Sequence, residues 1–322
     1  MSISRIFAHA NSLSSKENIM VLRDDFSLND KYEKECGPLL MTGTQGLVRL
    51  VIEQGRRDRA HNLSTAGFVT GYRGSPVGTV DMHMNTAQKF LHNLDIVVRP
   101  AVNEDLGATM AWGTQQLERD HGKRVDGVFS LFYAKAPGID RSGDALRHAN
   151  IYGTDSLGGV LAVGGDDPRA KSSTIASQTD VSFADLEIPV FAPKDVHELV
   201  ELGLHGWALS RHAGVWSAIT VTPELMDGTG LVHPERITIS PPNTPAGYAT
   251  LGARQVPRLA DRVAVEETLR TIRIPAAMDY IRHNRLNVKV MGPDDARYGI
   301  IAAGHTMGLL IDFFQELKIT QD

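Results

Sequence analysis

Short apolar runs alternate with helical stretches throughout residues 39–222, and this alternation limits the possible folds more than any other feature. Six runs have the length and composition of buried strands: Ala66–Thr70, Ile96–Arg99, Gly127–Tyr133, Gly159–Val163, Ile188–Phe191 and Val215–Val221. The stretches between them are patterned as helices: Met41–Gly55, Val77–Leu94, Glu104–His121, Asp140–Tyr152, Ser172–Phe183 and Asp195–Ser210. Short continuous apolar strands separated by helices are typical of a parallel sheet covered on both faces. We therefore predict an α/β fold with a doubly wound, mostly parallel sheet of about six strands.

A sheet of this kind brings its strand-to-helix loops together. Right-handed crossovers place these loops at the carboxyl edge of the sheet, where open α/β sheets bind their ligands. The loops that follow the first three predicted strands are therefore the candidate positions for a functional site.

The composition excludes several classes of protein. The 322 residues are 42% hydrophobic and 22% charged, an ordinary globular composition. The net charge of -5 argues against nucleic-acid binding, which usually needs a basic patch. Cys36 is the only cysteine, which excludes a disulfide framework and a cysteine-ligated cluster carried by this chain alone. The sequence has no apolar run near the roughly 20 residues that cross a bilayer, and Met1–Met20 lacks a secretory core. We expect a cytoplasmic protein with neither nucleic-acid nor membrane partners.

The regions outside residues 39–222 have a different character. Residues 1–38 are polar and weakly patterned, so we predict an N-terminal arm. Residues 223–292 begin with proline-rich, extended chain of little core and continue with an amphipathic helix over Leu259–Arg285, interrupted near Pro275. We predict a linker and a helix for this region.

The last segment, residues 293–322, predicts the start of another domain. Tyr298–Gly304 is patterned as a buried strand and Met307–Leu317 as a helix. A single βα unit cannot bury its own apolar faces. We therefore expect a truncated second domain, in a shortened product, an expressed fragment, or a subunit whose last element docks on a partner.

Glu104 is the candidate catalytic residue of the loops. It opens a predicted helix just after Asn103, downstream of the strand Ile96–Arg99. A carboxylate at one strand-to-helix turn, flanked by glycine-containing loops at equivalent turns, is typical of a cofactor-binding sheet edge. A single first-turn acid more commonly stabilises its own helix dipole, but the flanking loops favour the cofactor role.

The first flanking loop, Thr70–Gly78, follows a strand and precedes a helix. Gly71 and Gly74 allow the backbone to approach a ligand closely, and Ser75 with Pro76 suits the start of a helix. The loop lacks the Walker lysine and matches GxGxxG poorly. A ligand-binding turn and a plain structural turn therefore both remain open.

The second flanking loop begins at Ala134 and concentrates charge at its turn and in the helix that follows. The basic residues are Lys135, Arg141, Arg147 and His148, which stand beside Asp140 and Asp144. A solvated helix face would give this pattern as readily as an anion-binding site would. A third loop carries Asp166 and Asp167 before Pro168. Such an Asp pair suits a magnesium site or an ordinary turn and helix cap.

Taken in order, these loops resemble a known family. The blocks that carry the resemblance are Gly71-Tyr72-Arg73-Gly74-Ser75-Pro76, Asn103-Glu104-Asp105, residues 136–150, and Gly165-Asp166-Asp167 with Lys171-Ser172-Ser173-Thr174. They are similar to the N-terminal region of the large fused indolepyruvate ferredoxin oxidoreductases, which are thiamine-dependent 2-oxoacid:ferredoxin oxidoreductases. The resemblance covers roughly residues 38–222 and continues more weakly to the end. Its longest and most specific block is Asp140–Asn150.

The resemblance implies that residues 39–222 are the pyrimidine-binding domain of a thiamine diphosphate enzyme, with residues 293–322 starting a transketolase C-terminal-like domain. Glu104 matches the family carboxylate that contacts the aminopyrimidine ring. A carboxyl group bonded to ring N1′ favours the imino tautomer, whose 4′ nitrogen removes the thiazolium C2 proton. Glu104 must hold its proton for this, so an apolar surrounding is expected, with Leu106 and Trp112 as contributors.

Further roles follow from the resemblance. The residues expected to line the cofactor are Tyr72, Arg73, Gly74, Ser75, Pro76, Asn103, Lys135, Pro137 and Gly138. The candidates for holding the substrate carboxylate by charge-assisted hydrogen bonds are Arg141, Arg147 and His148. Asp166 and Asp167 are not assigned to a metal, because the family binds Mg²⁺ and the diphosphate through a Gly-Asp-Gly…Asn motif in another domain. That motif and the cysteine-ligated iron–sulfur clusters are absent from this sequence.

The sequence also departs from the family pattern. The family has Gly-Lys-Gly-Pro-Gly where this chain has Ala134-Lys135-Ala136-Pro137-Gly138, and it commonly has His where Pro168 stands. The two alanines add methyl groups near a tight turn where a cofactor approaches.

We therefore expect part of an enzyme that decarboxylates an aryl 2-oxoacid oxidatively to an acyl-CoA, with ferredoxin as electron acceptor. The chain supplies the pyrimidine side of the site and is expected to be inactive alone. Its partners are then the 2-oxoacid, coenzyme A, ferredoxin, a diphosphate-binding domain or chain, and a second copy in a dimer. The alternative is a non-catalytic assembly or binding subunit that keeps the fold.

Overall fold

The centre of the protein is a parallel sheet. The computed structural model describes residues 26–119, 122–171, 173–242, 262–293 and 295–319. Its six-stranded sheet has the order β3-β2-β4-β5-β7-β6, and all its strand pairs are parallel. The strands are β2 (Ala66–Gly71), β3 (Ile96–Pro100), β4 (Val128–Lys135), β5 (Val160–Gly165), β6 (Val190–Phe191) and β7 (Ser217–Val221). The predicted α/β class, the parallel sheet and its six strands are confirmed.

Helices cover both faces of the sheet, so the fold has three layers. On one face lie α2 (Gly43–Ala60), α3 (Val80–Thr86), α4 (Gln88–His92) and α9 (Val196–Ala213). On the other lie α5 (Glu104–Gly113), α6 (Ala136–Arg141), α7 (Gly143–Tyr152) and α8 (Thr179–Asp185). Alternate residues of β4 divide between the two cores, with Leu131 and Tyr133 on the first face and Phe132 and Ala134 on the second. This division follows from the two-residue period of a strand.

Several predicted helices are shorter than expected or broken. The stretch Val77–Leu94 forms α3 and α4, which are separated at Ala87. The stretch Glu104–His121 forms α5 and then a 3₁₀ segment over Thr114–Arg119, and residues 120–121 lie outside the described part. Of Ser172–Phe183, only the part from Thr179 is helical; residues 173–178 form no helix, and Ser172 is not described.

A small antiparallel sheet was not predicted. It pairs β1 (Leu39–Thr42) with β8 (Thr229–Val232). The predicted helix Met41–Gly55 therefore begins later, at Gly43. Thr42 caps α2 in a capping box, because its hydroxyl accepts from the Gln45 amide at 3.2 Å and its own amide donates to the Gln45 side chain at 3.0 Å.

The flanking segments contribute more to the core than the sequence indicates. Within the predicted arm, α1 (Asp30–Glu33) places Tyr32 in the core against Phe90. In the predicted linker, which also contains α10 (Pro223–Asp227), Val232 and Ile237 are buried. Residues 1–25 and 243–261 lie outside the described part of the chain.

The predicted interruption near Pro275 is confirmed. Helix α11 (Arg262–Thr268) continues through a π-helical turn, Leu269–Arg273, into α12 (Ile274–His283). Proline donates no backbone hydrogen bond, and such residues commonly mark irregular turns within helices. Tyr280 of α12 is buried and its hydroxyl lies 2.9 Å from Nδ1 of His205 on α9.

The predicted buried strand near the end of the chain is wrong. Residues 298–303 form no strand, and Tyr298 and Ile301 are 84% and 99% exposed. An apolar run forms a buried strand only beside a pairing strand, and none adjoins it within the described residues. The helix that follows is confirmed as α13 (Gly304–Glu316). No helix in the described part of the chain is long and apolar enough to span a bilayer.

Candidate functional site

The strand order places a switch point between β2 and β4. The chain goes from β2 to its neighbour β3 on one side, and then crosses to β4 on the other side. At such a point the loops leaving adjacent strands diverge and open a crevice at the carboxyl edge, where ligands of doubly wound sheets bind. The register aligns Gly71 with both Tyr133 and Pro100, so the three loops that follow these strands start side by side.

Glu104 lies at this crevice. It is the first residue of α5, and Asn103 caps the helix by accepting from the Leu106 amide at 2.9 Å. The Glu104 side chain is half-buried and packs directly on Gly138 of α6. A Cβ atom at Gly138 would lie 2.4 Å from Cγ and 2.8 Å from Oε1 of Glu104. Glu104 therefore contacts α6, the helix that directly follows β4.

The Glu104 carboxylate has no partner of its own. Among the described residues, none makes a hydrogen bond or an ion pair with it. Glu104 does stand in the first turn of α5, where an acid favours the helix dipole. That role explains its position in the helix but leaves both carboxylate oxygens available to a ligand.

The loop after β2 packs against the loop after β4. A Cβ atom at Gly74 would lie 2.5 Å from Cδ of Lys135, so the lysine stem runs across this glycine. Gly71 has φ of 155°, and a Cβ there would lie 2.0 Å from the Tyr133 carbonyl oxygen. That carbonyl accepts from the Tyr72 amide at 3.0 Å. Gly71 and Gly74 therefore allow the loop after β2 to pack closely against the end of β4.

The loop after β5 completes the edge. Gly165 lies under Pro76, because a Cβ atom there would be 2.8 Å from the proline Cδ. The peptide bond between Ser75 and Pro76 is cis. Of the candidate cofactor-binding residues, Tyr72, Arg73 and Pro137 are exposed, whereas Gly74, Ser75, Asn103 and Lys135 are partly buried and Pro76 and Gly138 are buried.

Two of the candidate substrate-binding residues lie away from Glu104. Arg147 donates to the carbonyl oxygen and the carboxylate of Asp185, the last residue of α8. Because α8 has seven residues and a helix rises about 1.5 Å per residue, that end is about 10 Å from the end nearer the crevice. His148 stacks on Trp112 with ring centroids 6.3 Å apart, and Trp112 is about two turns along α5 from Glu104.

Arg141 is exposed at the end of α6 and has no ion pair or hydrogen bond with any described residue. Lys135, which is partly buried, and Arg73, which is exposed in the loop after β2, also have no ion pair or hydrogen bond with any described residue. Three cations without a partner among the described residues therefore lie near the switch point: Arg73 in the loop after β2, Lys135 at the end of β4 and Arg141 at the end of α6. Such groups bind carboxylates and phosphates by charge-assisted hydrogen bonds.

The expected apolar enclosure of Glu104 by Leu106 and Trp112 is wrong. Leu106 is 46% exposed and lies on the outer side of α5. Trp112 packs on His148 and on Tyr152, whose ring centroid is 5.2 Å from its own. Residue 106, two positions along the helix, points to the opposite side from residue 104. Residue 112, eight positions along, lies about 12 Å further along the helix axis. The surroundings of Glu104 are instead the backbone of α6 and the adjacent loops.

Asp166 and Asp167 serve as turn and cap residues. Both oxygens of Asp166 accept from the Thr179 amide, at 2.9 and 3.1 Å, and one accepts from the Thr179 hydroxyl at 3.0 Å. Burial raises the pKa of Asp166 to about 6, against the opposing effect of these hydrogen bonds. Asp167 accepts from the Lys171 amide at 3.0 Å. No group of three or more possible metal ligands occurs among the described residues.

The sequence did not indicate the hydrogen-bond partners of Asp166 and Asp140. Thr179 and Ser182 hold Asp166 and Asp140, respectively, and neither carries a motif. Only the position of Thr179 and Ser182, in the helix that follows the third loop, could have indicated this role from the sequence. The methyl groups of Ala134 and Ala136, which depart from the family pattern, are buried, and Ala134 belongs to the core beneath α5–α8.

Comparisons with known proteins identify the fold. Neither a protein family nor a curated protein matches the sequence. Among solved structures, the chain is similar to a 2-oxoglutarate:ferredoxin oxidoreductase from Magnetococcus marinus, solved with 2-oxoglutarate, coenzyme A and succinyl-CoA bound. The TM-score is 0.55 at 15% identity, over 88% of this chain. The two proteins share a fold. The match covers 52% of the other chain, so this chain spans about half its length.

Proposed function

We propose that this chain supplies the pyrimidine-side half of a thiamine diphosphate site in a 2-oxoacid:ferredoxin oxidoreductase. The observation that carries the proposal is the half-buried Glu104 carboxylate, without a protein partner, facing Gly138 at the switch point of the sheet. The shared fold with an oxidoreductase of this class supports it. The sequence blocks that resemble the thiamine-dependent family lie in the loop after β2, at the start of α5, in α6 and α7, and at and after the end of β5.

The Glu104 carboxyl group would contact the pyrimidine end of the cofactor. Because Gly138 has no Cβ atom, the Glu104 side chain lies directly on its backbone, and the carboxyl group has no partner among the described residues. Glu104 would hold a proton at a ring nitrogen, and its position on the first turn of a helix fixes its direction. Asn103 keeps that turn in place through its cap. When bound, thiamine diphosphate supplies the carbanion chemistry of 2-oxoacid decarboxylation.

The cations on the neighbouring loops would bind the substrate carboxylate. Lys135 and Arg141 flank α6, and Arg73 lies on the loop that packs against Lys135. Each has no ion-pair partner among the described residues. Arg147 and His148 are weaker candidates because Arg147 is paired with Asp185 and His148 packs on Trp112. We propose an aryl 2-oxoacid, such as indolepyruvate, as the substrate.

The rest of the reaction requires other parts of the enzyme. Mg²⁺ and the diphosphate would be held by another domain or chain, and this chain would be inactive alone. Exposed apolar side chains on α5, just before it and on the loop after β2 would be covered by that partner or by a second copy: Tyr72, Val102, Leu106 and Met110. With one cysteine, this chain cannot ligate a four-cysteine cluster. Coenzyme A, ferredoxin and the iron–sulfur clusters therefore belong to the complete enzyme, which we place in the cytoplasm.

Calorimetry of thiamine diphosphate binding tests the proposal. Binding is expected when this chain is combined with a chain that carries a Gly-Asp-Gly…Asn diphosphate domain, and it should weaken when Glu104 is replaced by Ala. The matched control is Asp105→Ala, which removes the neighbouring first-turn acid of α5. Equal affinities for the wild-type and Glu104→Ala assemblies would contradict the proposal and favour a non-catalytic assembly subunit.

A further inference from the structure

We propose that Asp166 is a positioning residue for the candidate site and that it acts through α8, which holds α6 and its Gly138 against Glu104. The predicted effect of Asp166 on ligand binding rests on the proposed function. The predicted effect on hydrogen exchange of the backbone does not. The inference assigns a role to the third loop, which the site itself leaves without one.

Asp166 anchors the start of α8 at the carboxyl edge of the sheet. It directly follows β5, whose last residue, Gly165, lies under Pro76 of the first loop. Its side chain is only 9% exposed and binds the Thr179 amide and hydroxyl. These three hydrogen bonds tie the beginning of α8 to the edge of the sheet across residues 167–178, of which the described ones form neither helix nor strand.

Helix α8 is in turn bound to α6. The Ser182 hydroxyl donates to Oδ1 of Asp140 at 2.9 Å. Asp140 is two residues beyond Gly138 in α6, and the Gly138 carbonyl oxygen accepts from the Ser142 hydroxyl at 2.8 Å. A shift of α8 would therefore move the helix that forms one wall of the crevice. A continuous set of contacts leads from Asp166 to Glu104.

The far end of α8 is also fastened, by α7. Arg147 binds the carboxylate and the carbonyl oxygen of Asp185. The Asn150 side chain donates to the carbonyl oxygens of Leu186 and Glu187 at 3.0 and 2.9 Å. Three polar residues of the block Asp140–Asn150 thus bind α8 or the residues that follow it. The block Asp140–Asn150 therefore has a structural role, which is to hold α8 in place.

The carboxyl group of Asp166 changes its charge near neutral pH. Burial raises the pKa of Asp166 to about 6, the Thr179 hydrogen bonds lower it, and the carboxylates of Asp180 on α8 and Asp140 on α6 raise it further. Both acids act on Asp166 through their charge, Asp180 from α8 and Asp140 from α6. An asparagine at this position keeps an acceptor for Thr179 and removes the charge, so it separates the two contributions.

Hydrogen exchange of the full chain at pH 7 tests the coupling. The relevant amides are those of residues 140–142 in and after α6. Loss of one hydrogen-bonded anchor is expected to raise their exchange roughly fivefold or more in Asp166→Ala and in Ser182→Ala. Asp166→Asn should exchange like the wild-type chain. The matched control is Asp144→Asn, whose carboxylate is 92% exposed, and it should leave exchange unchanged.

Unchanged exchange at residues 140–142 in Asp166→Ala, with faster exchange in α8, would overturn the proposal. If Asp166→Ala does not fold by circular dichroism, Ser182→Ala decides, because it removes only the bond between α8 and α6. In the assembly that binds thiamine diphosphate, Asp166→Ala should weaken binding about tenfold and Asp166→Asn should restore it. Absence of binding by the wild-type assembly would count against the proposed function alone, since the exchange measurement needs no ligand.

Discussion

The side chain of Glu104 lies on the α-carbon of Gly138, with no room for a β-carbon between α5 and α6. A Cβ atom at Gly138 would come within 2.4 Å of Cγ of Glu104, a separation that real structures do not tolerate. The two residues are 34 positions apart in the sequence and meet only because β2 and β4 are neighbours. This contact brings a free carboxyl group to the wall of the crevice.

Replacing Gly138 by Ala should therefore disturb Glu104. We expect Gly138→Ala to lower the free energy of unfolding by about 1–3 kcal/mol, the usual cost of overpacking. The same substitution in a Glu104→Ala background should cost far less, because the colliding atoms are gone. Chemical denaturation of the four proteins of this cycle measures the coupling.

Gly143→Ala is the matched control for that cycle. A Cβ atom at Gly143 meets nothing within 4 Å, and Ala is favoured over Gly in a helix by up to about 1 kcal/mol. This variant should be neutral or stabilised. If Gly138→Ala is equally harmless in the wild-type background, Glu104 does not lie where the structure places it.

Lys135 should bind an anionic ligand without contributing to stability. Its stem crosses Gly74 while its ammonium group has no partner among the described residues. Lys135→Met keeps the stem and removes the charge. In the complete enzyme we expect KM for the 2-oxoacid to rise about tenfold or more, because a charge-assisted hydrogen bond contributes roughly 1.5–3 kcal/mol, with an unchanged melting temperature.

Lys89→Met provides the comparison for Lys135. Lys89 is an exposed lysine of α4, and its Nζ lies 3.6 Å from Oε1 of Glu33. Such surface ion pairs contribute little to stability. Its removal should change neither KM nor stability. A KM in Lys135→Met equal to that of Lys89→Met would exclude Lys135 from the site.

Asp166 should make stability depend on pH in a predictable direction. Its pKa in the folded protein is raised from 3.8 to about 6, so the folded chain binds a proton more tightly than the unfolded chain. The contribution to stability is therefore full below about pH 4 and is lost as the pH rises to about 6. Asp166→Asn should flatten this change and be at least as stable as the wild-type chain at pH 7.

Denaturant midpoints of both proteins between pH 4 and 8 check this prediction. His205 titrates in an overlapping range with the opposite sign, because burial and then Arg57 lower its pKa to about 4. The informative quantity is therefore the difference between the wild-type chain and Asp166→Asn. A difference that stays constant from pH 4 to pH 8 would contradict the raised pKa of Asp166.

The sequence predicts the central sheet well because each strand is a local apolar run with helices on either side. It does not predict β1 and β8, whose partners Leu39 and Val232 are far apart in the chain. The apolar run Tyr298–Gly304 has the pattern of a strand but no neighbour to pair with in the described structure. Strand formation depends on a partner, and a local pattern contains no information about it.

The candidate site divides in the same way. The alternation of strands and helices predicts that Glu104 and the residues after β4 lie at the same edge of the sheet. It does not predict the strand order β3-β2-β4, which makes them neighbours. The partner of Arg147 does not follow from it, because Asp185 becomes a neighbour only when α7 and α8 pack side by side. The sequence therefore predicts Arg147 as a substrate-binding residue, whereas its hydrogen bonds in the structure are to α8.

Turnover of the complete enzyme with Glu104→Gln tests the central claim most directly. The amide keeps the size of the side chain but cannot exchange a proton with the pyrimidine ring, so we predict a loss of kcat of about 10²- to 10⁴-fold with folding intact. The neighbouring variant Asp105→Asn should retain nearly full activity. Turnover by Glu104→Gln equal to that of Asp105→Asn would contradict the assignment of Glu104 as the catalytic carboxyl group.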